Sequence, residues 1–329
     1  MIIATLLFAD ATPQVDIERS DDTWRLERTN FYFENDIFLK TDTQYTAGSK
    51  LSNVYFLPHV DSELLKIPFL FDIKKAHFVS VALAQQIYTP EDLNVSEVIV
   101  NDRPYAGWLY VEIGLHQSSK DELDSLSLQL GVVGKLSGGE AVQKGSHHIL
   151  GSEAPKGWSH QLSNEVGLNL SYQHKWRFVP DDFFSMSSNI IPFVSGTLGN
   201  VRTEATGGFL MRIGLNPIED FGSSSIDVGG ENAIPIRANC LCSEARQWSF
   251  TFNLSASLKA VAHDIFLDGN TFKKSHSVEK ENFIMYNSLG FSARYEHYAF
   301  DYIVTVSTQH FSARNSDYKF GTLLFSYLY

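Results

Sequence analysis

Hydrophobic and polar residues alternate along most of this chain. The clearest runs are SLSLQLGVV (125–133), VGLNLSYQHKW (166–176) and WSFTFNLSASL (248–258). Leucine, valine and aromatic residues take alternate positions in these runs, and Ser, Thr, Asn, Gln or Gly fill most of the others. Because side chains two residues apart share one face of a strand, each run predicts a strand with one apolar and one polar face.

The pattern recurs often enough to predict about twelve strands. They cover residues 24–34, 44–56, 77–88, 104–117, 124–136, 162–177, 189–198, 205–214, 246–266, 282–296, 297–312 and 318–329. An even number suits a closed bacterial barrel, and half-apolar strands do not suit a buried parallel sheet. The sequence therefore predicts an all-β fold, a twelve-stranded antiparallel transmembrane β-barrel that forms a single domain over residues 12–329.

Three features favour a membrane barrel over a soluble β-sandwich, in which strands also alternate. Small polar residues dominate the second face, as in a polar lumen. Tryptophan and tyrosine cluster near strand ends, where the two membrane interfaces would lie. The last run, FGTLLFSYLY (320–329), ends in an aromatic residue and resembles the signal that the bacterial barrel-assembly machinery reads.

The first residues look like the tail of a secretory signal. Met1–Phe8 is apolar, and Ala9-Asp10-Ala11 fits a small-x-small cleavage site. We therefore expect residues 1–11 to be a signal-peptide remnant, with a frayed N-terminal strand as the alternative. No stretch reaches the roughly 18 consecutive apolar residues that a transmembrane helix needs.

The charge balance narrows the range of partners. A net charge of −12 argues against a nucleic-acid partner, whereas acidic side chains suit hard cations such as Ca²⁺. Cys240 and Cys242 are separated by one residue, so a disulfide between them would form a tight ring, and a structural zinc site would need further ligands. We expect both cysteines to lie in a periplasmic loop without a catalytic role.

An even strand count places both termini on the periplasmic side, so the connections after odd-numbered strands are extracellular. The acidic stretch 34–43 and the connections 89–103 and 137–161 then meet above the barrel. Within the last of these, residues 140–150 predict a short helix that Gly151 ends.

Two adjacent histidines, His147 and His148, lie near the end of the predicted helix, and Glu153 follows it. Adjacent residues on a helix point in different directions, so one histidine should face the barrel wall and the other solvent. A histidine in a polar loop is also often an ordinary surface residue.

Four blocks of sequence carry a family resemblance: FENDIFLKTDTQYTAG (33–48), IYTPED (87–92), DRPYAGWLY (102–110) and GGEAVQKGSHHILGSEAPKGW (138–158). In this order and spacing they resemble the outer-membrane lipid A 3′-O-deacylase family, LpxR. The resemblance covers about residues 24–329. It implies a twelve-stranded barrel whose active site lies between the wall and a short helix near the outer leaflet. It also implies Ca²⁺-dependent hydrolysis of an ester of lipid A, which releases the 3′-linked acyl groups.

The resemblance also assigns site residues. The matching positions are Asn35, Asp36, Thr46, His147 (rather than His148) and Glu153. A site lysine found in one branch of the family has no clear match, since Asn94 or Val95 falls near its position. This departure puts the contact with a substrate phosphate in doubt, and Arg103 is a candidate for that contact.

Ester hydrolysis needs an activated water and a group that stabilises the oxyanion. His147 could accept the proton of water because its unperturbed pKa is near neutral, and Ca²⁺ could polarise the ester carbonyl. The Asp36 carboxylate, the Asn35 amide oxygen and Glu153 are candidate metal ligands. Glu153 could equally orient His147, and Thr46 could support a ligand or donate to the oxyanion.

Ordinary structural roles compete with several of these assignments. An Asn-Asp pair is common in turns, and Pro104 and Gly107 suit a strand start and close packing.

The favoured interpretation is a monomeric enzyme of the bacterial outer membrane, with its active site facing the outer leaflet. Among the outer-membrane lipids, it acts on lipid A, or lipopolysaccharide. A phospholipase-like acyl hydrolase on the same scaffold and a non-enzymatic pore are the alternatives.

Overall fold

The computed structural model describes residues 24–36, 44–58, 75–180, 186–222, 225–226, 230–236, 248–313 and 317–329. The segment 1–11 and both cysteines, Cys240 and Cys242, lie outside the described residues, so the expectations about them stay predictions. None of the helices in the described ranges is long and apolar enough to cross a membrane.

Twelve antiparallel strands close into one barrel, in which sequence neighbours pair and the last strand pairs with the first. The strands are β1 (Arg25–Asn35), β2 (Gln44–Leu57), β3 (Ala76–Thr89), β4 (Ala106–Ser118), β5 (Glu122–Val133), β6 (Glu165–Trp176), β7 (Ser187–Gly199), β8 (Arg202–Leu215), β9 (Ser249–Asp264), β10 (Phe283–Tyr295), β11 (Tyr298–Ser307) and β12 (Tyr318–Leu328). Helix α1 (Gly139–Leu150) lies between β5 and β6, and α2 (Ile265–Asp268) follows β9. The predicted fold class is confirmed, including the short helix.

The apolar half of the strand pattern faces outward. In β5, Leu128 and Leu130 are exposed, whereas Ser127 and Gln129 are buried in the interior. The same alternation places the phenylalanines of β9 outside and its polar side chains inside. An exposed band of leucine and phenylalanine around a polar interior is the arrangement of a barrel that spans hydrocarbon.

Several strands end earlier than the alternation predicts, and β11 stops five residues early, at Ser307. The pattern predicts a fifth strand as far as residue 136, but β5 stops at Val133 because Gly134 takes φ = 94°, a left-handed conformation that favours glycine. The ninth strand is predicted to reach residue 266. It stops at Asp264, whose Oδ1 accepts a hydrogen bond of 2.9 Å from the Phe266 N–H and caps α2.

The two ends of the barrel differ. At one end, which we call the "termini end", Arg28 of β1 pairs with Leu328 of β12. At the other, the "helix end", Asn35 pairs with Gly321, and α1 follows β5 there. Exposed aromatic side chains surround part of the termini end, with Trp248 and Tyr295 at 4.5 Å between ring centroids. Such rings are typical of a membrane interface.

The β8–β9 connection folds back into the barrel. Its described parts are 216–222, 225–226, 230–236 and Trp248. We call 218–222, 225–226 and 230–236 the "plug segment", which packs on the inner wall. Phe221 and Ile234 of this segment are fully buried against inward residues such as Val54 and Phe78. The strand pattern gives no indication of this inward fold.

Ionic contacts hold the plug segment. Asp220 accepts from Arg212 at 2.5 Å and from Arg28 at 3.0 Å, and all three side chains are buried. Glu231 accepts hydrogen bonds from Tyr32 and Ser52 of the wall. Buried charges are costly unless they are paired, so these partners specify one position for the segment inside the lumen.

Candidate active site

Helix α1 lies against the outside of the barrel wall at the helix end. Gly107 of β4 shares the outward face with the exposed residues Val111 and Ile113. A Cβ added to Gly139 would lie 3.1 Å from the Gly107 Cα, and one added to Gly107 would lie 2.1 Å from Ser137 Oγ. The two glycines therefore allow the start of α1 to approach the strand closely, which agrees with the architectural role predicted for Gly107.

Polar and aromatic contacts fix the helix and the segment that follows it. The Trp158 indole donates to Gln143 Oε1 of α1 at 2.7 Å, and its ring lies 5.1 Å from that of Tyr105. Gln85 of β3 donates to the Ser137 carbonyl at 2.6 Å. Trp158 is buried, so α1 is held by a defined support rather than by loop packing alone. The strand pattern does not predict this support, although a tryptophan in a polar connection could have indicated it.

His147 lies in the last turn of α1, where Gly151 ends the helix with φ = 70°. Its Nδ1 is 2.7 Å from the main-chain carbonyl oxygen of Glu153. A carbonyl oxygen only accepts hydrogen bonds, so in the neutral ring Nδ1 carries the proton and Nε2 has the lone pair. His147 is partly buried, whereas His148 is exposed. The two histidines therefore differ in exposure, and the prediction that His147 faces the barrel wall stays a prediction.

Glu153 contacts His147 through its backbone, and its own side chain is exposed to solvent. Two roles for Glu153 were considered from the sequence, orientation of His147 and metal ligation. The structure shows a contact that can orient His147, and its acceptor is the main-chain carbonyl rather than the carboxylate. Metal ligation by the carboxylate stays a prediction.

Asn35 and Asp36 lie where β1 ends. Asn35 pairs with Ala47, Ala47 with Ile87, and Ile87 with Gly107, so one outward-facing row leads across the wall from Asn35 to the start of α1. Paired residues of antiparallel strands share a face, and the neighbouring Glu34 points inward. Asn35 therefore lies on the same side of the wall as α1.

Two lengths indicate how closely His147 can approach Asn35 and Asp36. Gly107 is separated from Asn35 by three strand spacings, about 14 Å at roughly 4.8 Å each. His147 follows Gly139 by eight residues, about 12 Å along a helix axis at roughly 1.5 Å per residue. The helix contacts both β4 and β3. These lengths are compatible with a common site, and the approach of His147 to Asn35 and Asp36 stays a prediction.

Thr46 lies at an irregularity in β2. The pairing with β3 passes from Tyr45 opposite Tyr88 directly to Ala47 opposite Ile87, which leaves Thr46 in a bulge. Ala47 is also the partner of Asn35, so the backbone of Thr46 adjoins the row described above. Bulges often redirect a side chain near an active site.

Arg103 occupies the other side of the wall. Its guanidinium carbon lies 5.6 Å from the centroid of Tyr88 and 5.7 Å from those of Phe311 and Tyr318, and the residue is buried. Tyr88 and Tyr318 are inward-facing strand residues. A contact between Arg103 and a substrate phosphate held beside α1 therefore stays a prediction, and the structure gives it no support.

The donor atoms at the end of β1 suit a hard cation. Asp36 is 1% exposed and provides carboxylate oxygens, and Asn35 adds an amide oxygen. Among the described residues, no cluster of three or more His, Cys, Asp or Glu side chains could hold a metal ion. Calcium accepts backbone carbonyls and water as further ligands, so these two residues fit it in chemical type without forming a complete site.

Known proteins resemble this chain in sequence and in fold. The family model described as "Outer membrane protein LpxR" matches residues 1–329. The structure of LpxR from Salmonella typhimurium superimposes with a TM-score of 0.74 at 20% sequence identity, covering 92% of this chain and 100% of that one. The β domain of the Bordetella autotransporter BrkA reaches a TM-score of 0.44 at 8% identity, covering 93% and 98%. A search of curated proteins finds no match.

At 20% identity the Salmonella structure supports the fold, and the match of the family model to the whole sequence decides the relationship. The blocks that carry the resemblance include both ends of the candidate site, Asn35-Asp36 on β1 and His147 on α1. The chain therefore belongs to the LpxR family of outer-membrane proteins.

Proposed function

We propose that this protein is a Ca²⁺-dependent lipid A 3′-O-deacylase of the bacterial outer membrane. It hydrolyses the ester that links the 3′-acyl, or acyloxyacyl, group to lipid A. Membership of the LpxR family and the twelve-stranded barrel support this proposal. The observation that carries it is the contact between His147 Nδ1 and the Glu153 carbonyl, which leaves Nε2 ready to accept a proton at the membrane surface.

The chemistry follows from the groups on the chain. His147 Nε2 accepts a proton from a water molecule as its oxygen attacks the ester carbonyl, and the imidazolium then gives the proton to the leaving sugar oxygen. The Asn35 amide or the Thr46 hydroxyl donates to the oxyanion that develops on the carbonyl oxygen. Asp36 and Asn35 hold the cation, with Glu153 as a further candidate ligand. Calcium, when bound, supplies a Lewis acid for the ester.

The surface of α1 fits a lipid substrate. Ile149 is 84% exposed, and Leu136 and Val142 also expose their apolar side chains on the outside of the barrel. Exposed apolar groups of this kind mark a contact with lipid. Lys135 and Lys156 are also exposed in the β5–β6 connection and would attract phosphate groups. An acyl chain could therefore reach His147 laterally from the surrounding leaflet.

In this proposal the helix end faces outward and the active site meets the outer leaflet, where lipopolysaccharide resides. The even strand count, with the last strand paired to the first, supports this orientation. The active unit is a monomer, because one chain closes the barrel and carries every candidate residue.

The plug segment weighs against a passive pore. Buried side chains of this segment occupy the lumen near the termini end, and ion pairs with Arg28 and Arg212 hold them there. A phospholipase-like acyl hydrolase would use the same groups, so only the substrate separates it from the favoured function.

The test compares lipid A from cells that lack the chain with lipid A from cells that produce it or its His147→Ala variant. Mass spectrometry should show loss of the 3′-linked acyl mass only with the unaltered chain. Unchanged lipid A, together with new free fatty acid and lysophospholipid, would favour the phospholipase alternative.

A further inference from the structure

A cavity occupies the lumen above the plug segment. Its empty volume is about 1410 Å³, with its open mouth included, and Phe221 and Ile226 of the plug segment form part of its lining. Arg103 and Arg202 line it together with Tyr88 and Tyr318. These residues belong to the helix end, where Tyr88 is the penultimate residue of β3, Arg202 begins β8 and Tyr318 begins β12.

The guanidinium group of Arg103 has no hydrogen-bond partner among the described residues. The side chain is 2% exposed, and its buried Nε and Nη2 atoms are both unpaired. These two N–H groups lie along one edge of the guanidinium, the edge that binds a carboxylate or phosphate through two parallel hydrogen bonds. Leaving such donors buried without an acceptor is costly, so this edge favours an anionic ligand.

A second arginine shares the same aromatic wall. The guanidinium carbon of Arg202 lies 5.9 Å from the centroid of the Tyr88 ring, which Arg103 also contacts. Arg202 Nη2 donates to the Tyr88 hydroxyl at 2.6 Å, and its buried Nε is unpaired. The stacked rings of Tyr88 and Phe266, 4.0 Å apart, hold this guanidinium in place.

Within the described parts of the chain, neither arginine forms an ion pair with an acid. Three acids line the same cavity and have other partners: Glu204 pairs with Lys259 at 2.9 Å, Asp264 Oδ1 caps α2, and Glu34 accepts from the Thr322 hydroxyl at 2.9 Å. Two guanidinium groups therefore contact one ring, in a cavity whose acids already have other partners. A dianion with several acceptor oxygens matches two such groups better than a single carboxylate does.

We propose that the helix end of the lumen binds a phosphate group on the guanidinium groups of Arg103 and Arg202. The ligand is a phosphate dianion, either inorganic phosphate or the monoester of a sugar. The site is distinct from the surroundings of His147, because α1 packs on the outer face of the wall and both arginines line the lumen. It therefore does not depend on the proposed hydrolysis.

Equilibrium dialysis of the detergent-solubilised full chain against radiolabelled orthophosphate tests this site. The unaltered chain should bind phosphate saturably, at about one per barrel. Arg103→Gln and Arg202→Gln should each weaken binding about tenfold or more, because charge-assisted hydrogen bonds are lost. Arg103→Lys should be intermediate, since it keeps the charge and loses the two-pronged contact.

Arg177→Gln is the matched control, because Arg177 is also buried with an unpaired Nε but follows β6 at the termini end. It should bind phosphate normally, and so should His147→Ala. Folding of each variant is checked by the change of gel mobility on boiling. Competition by glucose 1-phosphate would identify a sugar phosphate as the ligand class, and displacement by orthophosphate alone would restrict the site to the free anion.

Three results would overturn the proposal. They are no saturable binding by the unaltered chain in the millimolar range, undiminished binding by a folded Arg103→Gln variant, and loss of binding in His147→Ala, which would place the phosphate at the active site instead.

Discussion

The imidazole of His147 and the main-chain carbonyl of Glu153 form a hydrogen bond of 2.7 Å across the C-terminus of α1. Gly151 makes this possible, because its left-handed conformation turns the chain back towards the helix. The bond fixes the tautomer of the ring and leaves Nε2 as the basic atom. The identity of residue 153 matters less to this contact than the path of its backbone.

The first prediction concerns the side chain of Glu153. Glu153→Ala should keep most of the activity at saturating Ca²⁺, because the carbonyl that orients His147 is retained. Activity is measured as a function of Ca²⁺ concentration, with the unaltered chain in parallel. A large increase in the Ca²⁺ requirement would show instead that the carboxylate is a metal ligand.

The second prediction concerns the packing of α1. Gly139→Ala places a Cβ 3.1 Å from both the Gly107 Cα and Trp158 Cη2, so the helix must shift, at a cost of about 1–3 kcal/mol. We expect deacylation to fall while the barrel stays folded. Gly145→Ala is the control, since a Cβ there meets nothing within 4 Å and alanine favours the helix. Equal activity of the two variants would contradict the close approach of α1 to β4.

The third prediction concerns the plug segment. The unaltered protein should not conduct ions steadily in a planar bilayer, because the segment fills part of the lumen. Asp220→Ala leaves Arg28 and Arg212 buried without their common partner and should destabilise the fold by about 3–5 kcal/mol. We expect this variant to show conductance steps. Asp121→Ala, an exposed residue at the same end, is the control. Open-pore currents from the unaltered chain would support the pore alternative.

The fourth prediction concerns the metal. A strong chelator should abolish deacylation, and added Ca²⁺ should restore it, because oxygen donors at the end of β1 suit a hard cation. Asp36→Ala should remain inactive at every accessible Ca²⁺ concentration, since its buried carboxylate is the charged ligand that we propose. Full hydrolysis by a folded barrel in chelator would falsify the metal mechanism and make Thr46 the first candidate nucleophile.

The sequence predicts the parts of this fold that depend on local pattern. Leu128 and Gln129 occupy opposite faces because a strand has a period of two, and Gly151 ends α1 because glycine tolerates a left-handed conformation. These rules involve neighbouring residues only, so twelve strands and one short helix follow from them.

Other features depend on contacts between distant residues. Arg28 and Asp220 are 192 positions apart, and nothing in the local pattern around Ile234 distinguishes a plug from an outward loop. Arg103 lies in a connection, outside the strand alternation, so the face to which it points could not be predicted. The resemblance supplied His147 and Asn35, whereas the row that joins Asn35 to α1 required the strand register.

The central claim is that His147 activates water to cleave the 3′ ester of lipid A. The most direct test incubates purified lipid A and Ca²⁺ with the unaltered barrel, His147→Ala or His148→Ala, and follows the products by mass spectrometry. The unaltered barrel should release the 3′-linked acyl group, His148→Ala should retain most of that activity, and His147→Ala should lose about 10²–10⁴-fold in rate because the general base is removed. Loss of activity in His148→Ala with activity retained in His147→Ala, or intact lipid A in all three reactions, would contradict the account.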